Sequence, residues 1–396
     1  MQVSFIYYSK KIMAINMILN LAEIYTPKRR IIRGSIKIEN GVIKDLKPYW
    51  RSSDHSQEIK EMIAVPGFID THIHGYAGFD VSSGSINEIK RLSEELIKIG
   101  VTSFVPTTVS LKHEDLVKVA EAIGDLLSED PMDHNRSRIL GLHLEGPYIN
   151  VEMRGAQNPE AIRKLDMSEI DEYIKASERN IRIITLAPEI DNVLEKIPEI
   201  VNRGVIVSIG HTNASYEETK KAIERGARRI THIFNGMRRF HHRDPGPALA
   251  GLEDERVFIE FIADLVHLAS PVVKMITKVA GSRAVVITDS ISATGLGDGV
   301  YMLGGLKVMV KDGVARLEDG TLAGSTLTMI KALYNLIHIG LDVSEALYHL
   351  TEAPARSLEI KSLGCLRPGC VADIILMNKD LGISKVFLEG EEVYTK

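Results

Sequence analysis

Eight short apolar runs of strand length recur along the middle of the chain, alternating with helical segments. That alternation restricts the fold more than any other feature. The runs are Val65–Asp70, Val101–Pro106, Ile139–His143, Ile181–Leu186, Val205–Ile209, Arg229–Ile233, Val257–Ile262 and Ala284–Thr288. They are mostly β-branched and apolar on successive residues, as expected of strands buried on both faces of a parallel sheet. Helix signals lie between many of them. Ile86–Ile99 has Ser85 before it and Gly100 behind it, and Glu114–Leu127 sets Leu116, Val119, Ile123 and Leu126 on one stripe. Ser215-Tyr216-Glu217-Glu218 has the form of a capping box. Such units predict an α/β fold, a (β/α)₈ TIM-like barrel. An open doubly wound sheet is the alternative, but no Gly-x-Gly-x-x-Gly follows a first strand.

The ends of the chain differ. Ile32–Ile43 and Leu303–Val314 are strand-like with turns at Asn40-Gly41 and Asp312-Gly313, and strands recur at Val371–Met377 and Val386–Tyr394. A small β-sandwich domain built from both termini accounts for them simply. The expected division is an N-terminal extension over 1–16, a small domain over 17–64 and 357–396, and a barrel over 65–356.

With 396 residues, 44% hydrophobic and 26% charged, the chain reads as a soluble globular protein. Its net charge of -5 argues against nucleic acid or an anionic membrane as a main partner. No apolar stretch reaches the length of a membrane span, and the N-terminus lacks the marks of a signal peptide. Two cysteines, Cys365 and Cys370, make no disulfide framework and fit a reducing cytoplasm. They are expected to be two ordinary small apolar residues.

The strand ends carry polar residues. His72 and His74 close the first run. In a strand, residues i and i+2 share a face, so the two imidazoles would aim at one point, with Asp70 on the same face to orient a ligand. His143 and Glu145 end the third run, His211 the fifth, His232 the sixth and Asp289 the eighth. In a (β/α)₈ barrel these ends converge on one mouth, where active sites of the fold lie. Imidazoles and carboxylates without thiolates suit Zn²⁺, Fe²⁺, Mn²⁺ or Co²⁺. One buried histidine is usually just hydrogen-bonded; five with two carboxylates at one end of several strands point to a metal. His55, His113, His134, His338 and His349 read instead as surface or core residues.

Gly67-Phe68-Ile69-Asp70-Thr71-His72-Ile73-His74 resembles the opening of the amidohydrolase superfamily. Further segments resemble its N-acetylglucosamine-6-phosphate deacetylase family: His143-Leu144-Glu145-Gly146-Pro147, Gly155-Ala156-Gln157-Asn158-Pro159, Gly210-His211-Thr212-Asn213-Ala214 and Thr231-His232-Ile233-Phe234-Asn235-Gly236-Met237. So do His241-His242-Arg243-Asp244-Pro245-Gly246, Thr288-Asp289 and Gly320-Thr321-Leu322-Ala323-Gly324-Ser325. The resemblance implies metal-dependent removal of acetate from N-acetyl-D-glucosamine 6-phosphate, in a homodimer. It implies Glu145, His211 and His232 as metal ligands, with His72 and His74 able to hold a second metal and Glu145 bridging. It implies Asp289 as a ligand and as general base and acid. Substrate contacts carry over to Ala156, Gln157, Asn235, Gly236, His267, Leu322, Ala323 and Gly324, and to Arg243 reaching the phosphate in the partner's site. The chain departs from the family's pattern in three places. Gln157 stands where a histidine is common, Gly236 where an alanine is common, and Leu265 where a glycine is usual.

Overall fold

The computed structural model describes residues 16–26, 29–48, 56–129 and 135–396. The expected extension lies outside them except for Asn16, as do His55 and His134. Eight parallel strands form a nearly closed barrel, hydrogen-bonded in chain order: Phe68–Ile73, Val101–Thr108, Leu142–Glu145, Ile181–Leu186, Ile206–Ile209, Arg229–Ile230, Phe258–Ile262 and Ala284–Ile287. The eighth meets the first where the Asp289 amide donates to the His72 carbonyl at 2.9 Å and the Thr288 hydroxyl donates to Asp70 at 2.5 Å. The TIM-like barrel read from the alternation is thus present.

The helices begin where the local chemistry allows. Ser85 caps Ile86–Lys98 by accepting from the Glu88 amide. Ser215 and Glu218 complete a reciprocal capping box ahead of Tyr216–Glu224. Leu116, Val119 and Ile123 on His113–Glu129 are fully buried against the barrel.

A second, seven-stranded sheet draws on both ends of the chain. Its order is Glu391–Thr395, Ile383–Leu388, Ile374–Met377, Ser56–Pro66, Asn16–Thr26, Arg29–Glu39 and Val42–Pro48. Hydrogen bonds from the Ile43 amide to the Cys370 carbonyl and from the Ala372 amide to the Gly41 carbonyl close it around its own core of Leu19, Ile24, Ile36, Ile374 and Phe387.

Four sequence expectations are corrected. Val65 and Pro66 end a strand of this second sheet, and the barrel begins at Phe68. Gly67 makes the corner because a Cβ there would meet the Thr102 side chain at 2.1 Å. Val386–Tyr394 is two strands broken by a turn at Glu389-Gly390. Leu303–Val314 joins neither sheet but contributes to a three-stranded one, Gly299–Leu303, Leu306–Lys311 and Val314–Arg316, beyond the eighth barrel strand. Finally, Cys365 and Cys370 form a disulfide, both 2% exposed within the small-domain core. A turn between them brings their Cα atoms to 6.0 Å, within bridging reach, which a count of two cysteines cannot reveal.

Candidate metal centre

The strand ends bring six side chains together at the barrel mouth. His72, His74 and Asp289 form one group and Glu145, His211 and His232 another, their ligand atoms within 4.8 Å of each other in each. All six are buried, Asp289 the most accessible at 7%. Glu145 joins the groups. Its Oε1 lies 2.8 Å from His232 Nε2 and 3.1 Å from His211 Nε2, and its Oε2 lies 3.3 Å from His74 Nε2. His211 Nε2 and His232 Nε2 are themselves 3.2 Å apart.

The backbone is bent to achieve this. His211, His232 and Asp289 have φ values of 47°, 26° and 51°, left-handed conformations that side-chain-bearing residues seldom adopt. Each sits just beyond its strand, where such a turn swings the side chain into the mouth; strain of this kind gathers at functional sites.

Each imidazole turns its Nδ1 outward to an acceptor. His74 Nδ1 meets the Thr107 carbonyl at 3.1 Å, His211 Nδ1 the Met153 carbonyl at 2.9 Å and His232 Nδ1 the Asn235 carbonyl at 3.1 Å. A carbonyl can only accept, so those nitrogens carry a proton, and each Nε2 is the nitrogen that would offer its lone pair inward when a cation takes the place of its second proton. Imidazole nitrogens facing two carboxylates at 2.8–3.6 Å suit a divalent cation. Two buried atoms at the centre, His72 Nε2 and Asp289 Oδ1, have no hydrogen-bond partner, although Asp289 Oδ1 is 3.0 Å from His74 Nε2. The residues therefore fit a metal ion, with imidazole and carboxylate donors fixed from behind.

The electrostatics agree. Burial alone would raise Glu145, but the facing charges of His72 and His211 and the hydrogen bonds from His211 and His232 hold its carboxyl well below the usual range. Burial opposes protonation of His74, yet Asp289 and Glu145 beside it lift its pKa to about 9. A field that draws protons this strongly also draws a cation.

Other singled-out residues fall into place around this centre. Asp70 does not orient an imidazole: its carboxylate accepts from the His72 amide and from Thr288, tying the first and eighth strands. His143, at the end of the third strand, is a satisfied core residue whose Nε2 pairs with Thr185 Oγ1 at 2.8 Å; burial pushes its pKa well down. His113 bonds the Tyr173 hydroxyl, His349 is buried and His338 is exposed.

A cavity of about 180 Å³ opens over the centre. Ala156, Gln157, Asn235, Gly236, His267, Leu322 and Gly324 line it with five of the six candidate ligands, all but His72. Gln157 is doubly tied, its amide donating to Glu145 Oε2 at 2.6 Å while its oxygen accepts from the Ser110 amide. His267 Nδ1 is held by Asp264 at 2.7 Å. Ala323 lies behind the wall in an apolar cluster with Val109 and Ile291. Arg243 is not brought to this cavity. It is exposed on a loop closed by mutual backbone bonds of His241 and Asp244, and its guanidinium contacts His242. Sequence reasoning missed Glu260, the acceptor for His72 Nδ1 at 3.2 Å. The signal was a lone carboxylate inside the apolar run Phe258–Ile262.

A parallel barrel with His-x-His on its first strand and ligand-type residues at the ends of the third, fifth, sixth and eighth defines a metal-dependent hydrolase class. The amidohydrolase family profile matches residues 63–393, and the chain belongs to that family. Among its relatives is the N-acetylgalactosamine-6-phosphate deacetylase of Escherichia coli O157:H7, 34% identical over 90% of this chain and 93% of that protein. The N-acetylglucosamine-6-phosphate deacetylase of Vibrio furnissii is 34% identical over 90% and 89%. A mutant of N-acetyl-D-glucosamine-6-phosphate deacetylase from Mycobacterium smegmatis, solved with N-acetyl-D-glucosamine-6-phosphate, superposes with a TM-score of 0.90 at 34% identity, covering 96% of this chain and all of that one. The Thermotoga maritima N-acetylglucosamine-6-phosphate deacetylase gives 0.87 at 36%, with the same coverage.

Proposed function

We propose that this chain hydrolyses the amide of N-acetyl-D-glucosamine 6-phosphate, giving D-glucosamine 6-phosphate and acetate. The observation that carries this reading is the six-residue cluster at the mouth, in a chain that shares most of its length with deacetylases of 6-phosphorylated N-acetylhexosamines. Glu145, His211 and His232 would hold one divalent cation, and His72, His74 and Asp289 a second where two bind; Zn²⁺ or Fe²⁺ suits the donors best, with Mn²⁺ or Co²⁺ possible. Such a cation supplies Lewis acidity, polarising the acetyl carbonyl and making water a better acid.

The chain's own groups do the rest. Asp289 accepts a proton from the attacking water and returns it to the sugar nitrogen, so that the amine departs neutral. Gln157 and the outer carbonyls keep Glu145 and the imidazoles in place. His267, steadied by Asp264, faces the sugar together with Asn235 and the Leu322–Gly324 loop. We read Arg243 as the phosphate contact of the neighbouring subunit in a homodimer, since among the described residues lining the cavity there is no lysine or arginine. An arginine fork suits a phosphate. A cytoplasmic setting fits a phosphorylated substrate. Among the described residues no helix is long and apolar enough to cross a membrane. With the boundary moved to the corner at Gly67, we also read residues 68–356 as the hydrolase domain and 17–66 with 357–396 as the small one.

The 34% identity to a galactosamine-type deacetylase favours a second reading, the 4-epimer N-acetyl-D-galactosamine 6-phosphate. Acetate release from both phosphosugars, and from unphosphorylated N-acetylglucosamine, decides. Chelator-sensitive release from N-acetylglucosamine 6-phosphate is expected to be fastest. No release from it by metal-loaded protein overturns the proposal and directs attention to other N-acyl sugars and cyclic amides.

A further inference from the structure

Three of the four inward imidazoles are backed by carbonyls, but His72 is backed by a carboxylate. Glu260 sits on the seventh strand, fully buried, with Oε2 3.2 Å from His72 Nδ1. Its other oxygen is taken by Arg229, whose Nε donates at 3.1 Å and whose Nη2 makes a closer contact. Arg229 is fully buried too, and its remaining donors go to Thr71 Oγ1 at 2.8 Å and to Ser357 Oγ. A buried ion pair is a poor means of gaining stability, since desolvation offsets most of the attraction. This one does something else. Glu260, kept ionised by Arg229, can only accept, so His72 holds a proton on Nδ1, and Nε2 is the nitrogen left for a cation to take in place of a second proton. That Nε2 is the buried nitrogen without a hydrogen-bond partner, 3.6 Å from Asp289 and 3.4 Å from Glu145.

We infer that Glu260, fixed by Arg229, is a positioning residue that sets the tautomer of His72 and so builds the cation position of His72, His74 and Asp289. This rests on reading the mouth as a cation-dependent hydrolase centre. Two charge-free double variants test it. Arg229→Met/Glu260→Leu fills the same space and removes the acceptor. Arg229→Met/Glu260→Gln restores one, because the amide is free to turn its oxygen to His72. Each is titrated with Co²⁺ after chelation, following calorimetry and visible absorption, and the step lost in His72→Asn marks the position.

Affinity at that step should fall about 10- to 100-fold in the leucine variant and return to within about threefold of wild type in the glutamine variant, with the Glu145, His211 and His232 step unmoved in both. If the leucine pair does not fold, Glu260→Gln alone serves. Its oxygen must stay on Arg229, so its NH₂ group faces His72 Nδ1 and drives the proton onto Nε2, giving the same loss. Equal affinity in wild type and the folded variants overturns the inference alone. A wild type that takes up no cation overturns the reading beneath it as well.

Discussion

Arg243 gives the most exposing test of the proposed assembly. Its guanidinium is on the outside of its own subunit, and the ion pair of Arg238 with Asp244 braces the loop that carries it. Among the described residues lining the cavity there is no lysine or arginine, so a guanidinium for a bound phosphate would come from a second copy. A hydrogen bond to a charged group is worth about 1.5–3 kcal/mol. Arg243→Ala should therefore raise KM for the phosphorylated sugar about 10- to 150-fold, at 1.36 kcal/mol per decade, with a much smaller effect on kcat because the phosphate is remote from the amide.

Subunit mixing then asks where the arginine acts. Arg243→Ala and Asp289→Asn chains are coexpressed with different tags and purified through both, so that every dimer recovered holds one of each. In a symmetric pair with exchanged arginines, one site combines the intact Asp289 of the first chain with the intact Arg243 of the second, while the other has neither. At low substrate the heterodimer should run at about half the wild-type rate, far above either parent. A heterodimer no faster than the Arg243→Ala parent, failure to recover any heterodimer, or an unchanged KM in Arg243→Ala would each refute the exchange.

Asp289→Asn on its own should lower kcat by at least about 10²- to 10⁴-fold while calorimetry still detects substrate; retained turnover removes Asp289 from the proton path. Burial pushes His349 down to about 4 from an ordinary 6.5. The unfolded chain takes up this proton first, so the fold loses stability as pH falls from about 6.5 to about 4, by about 3 kcal/mol in all. His349→Gln should flatten that part of the urea midpoint-against-pH curve, and an unaltered slope counts against it. Reducing the Cys365–Cys370 bridge closes only a short loop fewer and should cost about 2 kcal/mol; melting curves that coincide with and without reductant would contradict this.

What was legible in the sequence was whatever depends on residues near each other along the chain. The two-residue period of a strand fixed His72 and His74 on one face, and their ring centroids are indeed 5.2 Å apart. Ser85 and the Ser215–Glu218 pair marked their helices for the same reason. Contacts between distant strands were not legible. Glu260 and His72 are 188 residues apart, and only the ring closure makes them neighbours. Asp70 was misassigned by the same blindness: Thr288, just beyond the eighth strand, and the His72 amide take its carboxylate, and no imidazole does. The break at Gly67 escaped notice because the apolar run passes unchanged from one sheet to the next, and only the close approach of Thr102 makes the corner.

The departures from the deacetylase pattern acquire physical reasons once the backbone is seen. At Gly236, φ is 54°, and a Cβ would stand 2.8 Å from His211 Nδ1 and 3.2 Å from the Met153 carbonyl that this nitrogen bonds. With the loop in this position, an alanine would press on the hydrogen bond that aims a candidate ligand, so glycine here and the placement of His211 belong together. Leu265 has φ of 65°, a left-handed conformation that costs a residue with a side chain about 1–2 kcal/mol, and it lies between Asp264 and the His267 that Asp264 holds. Gln157 spends both ends of its amide on Glu145 and Ser110. All three differences thus act on the support of a ligand or a cavity wall, leaving the six inward donors themselves in place. Variation of this kind moves substrate preference among N-acylated phosphosugars more readily than it moves the reaction, because the pocket wall can change while the atoms that face the amide do not.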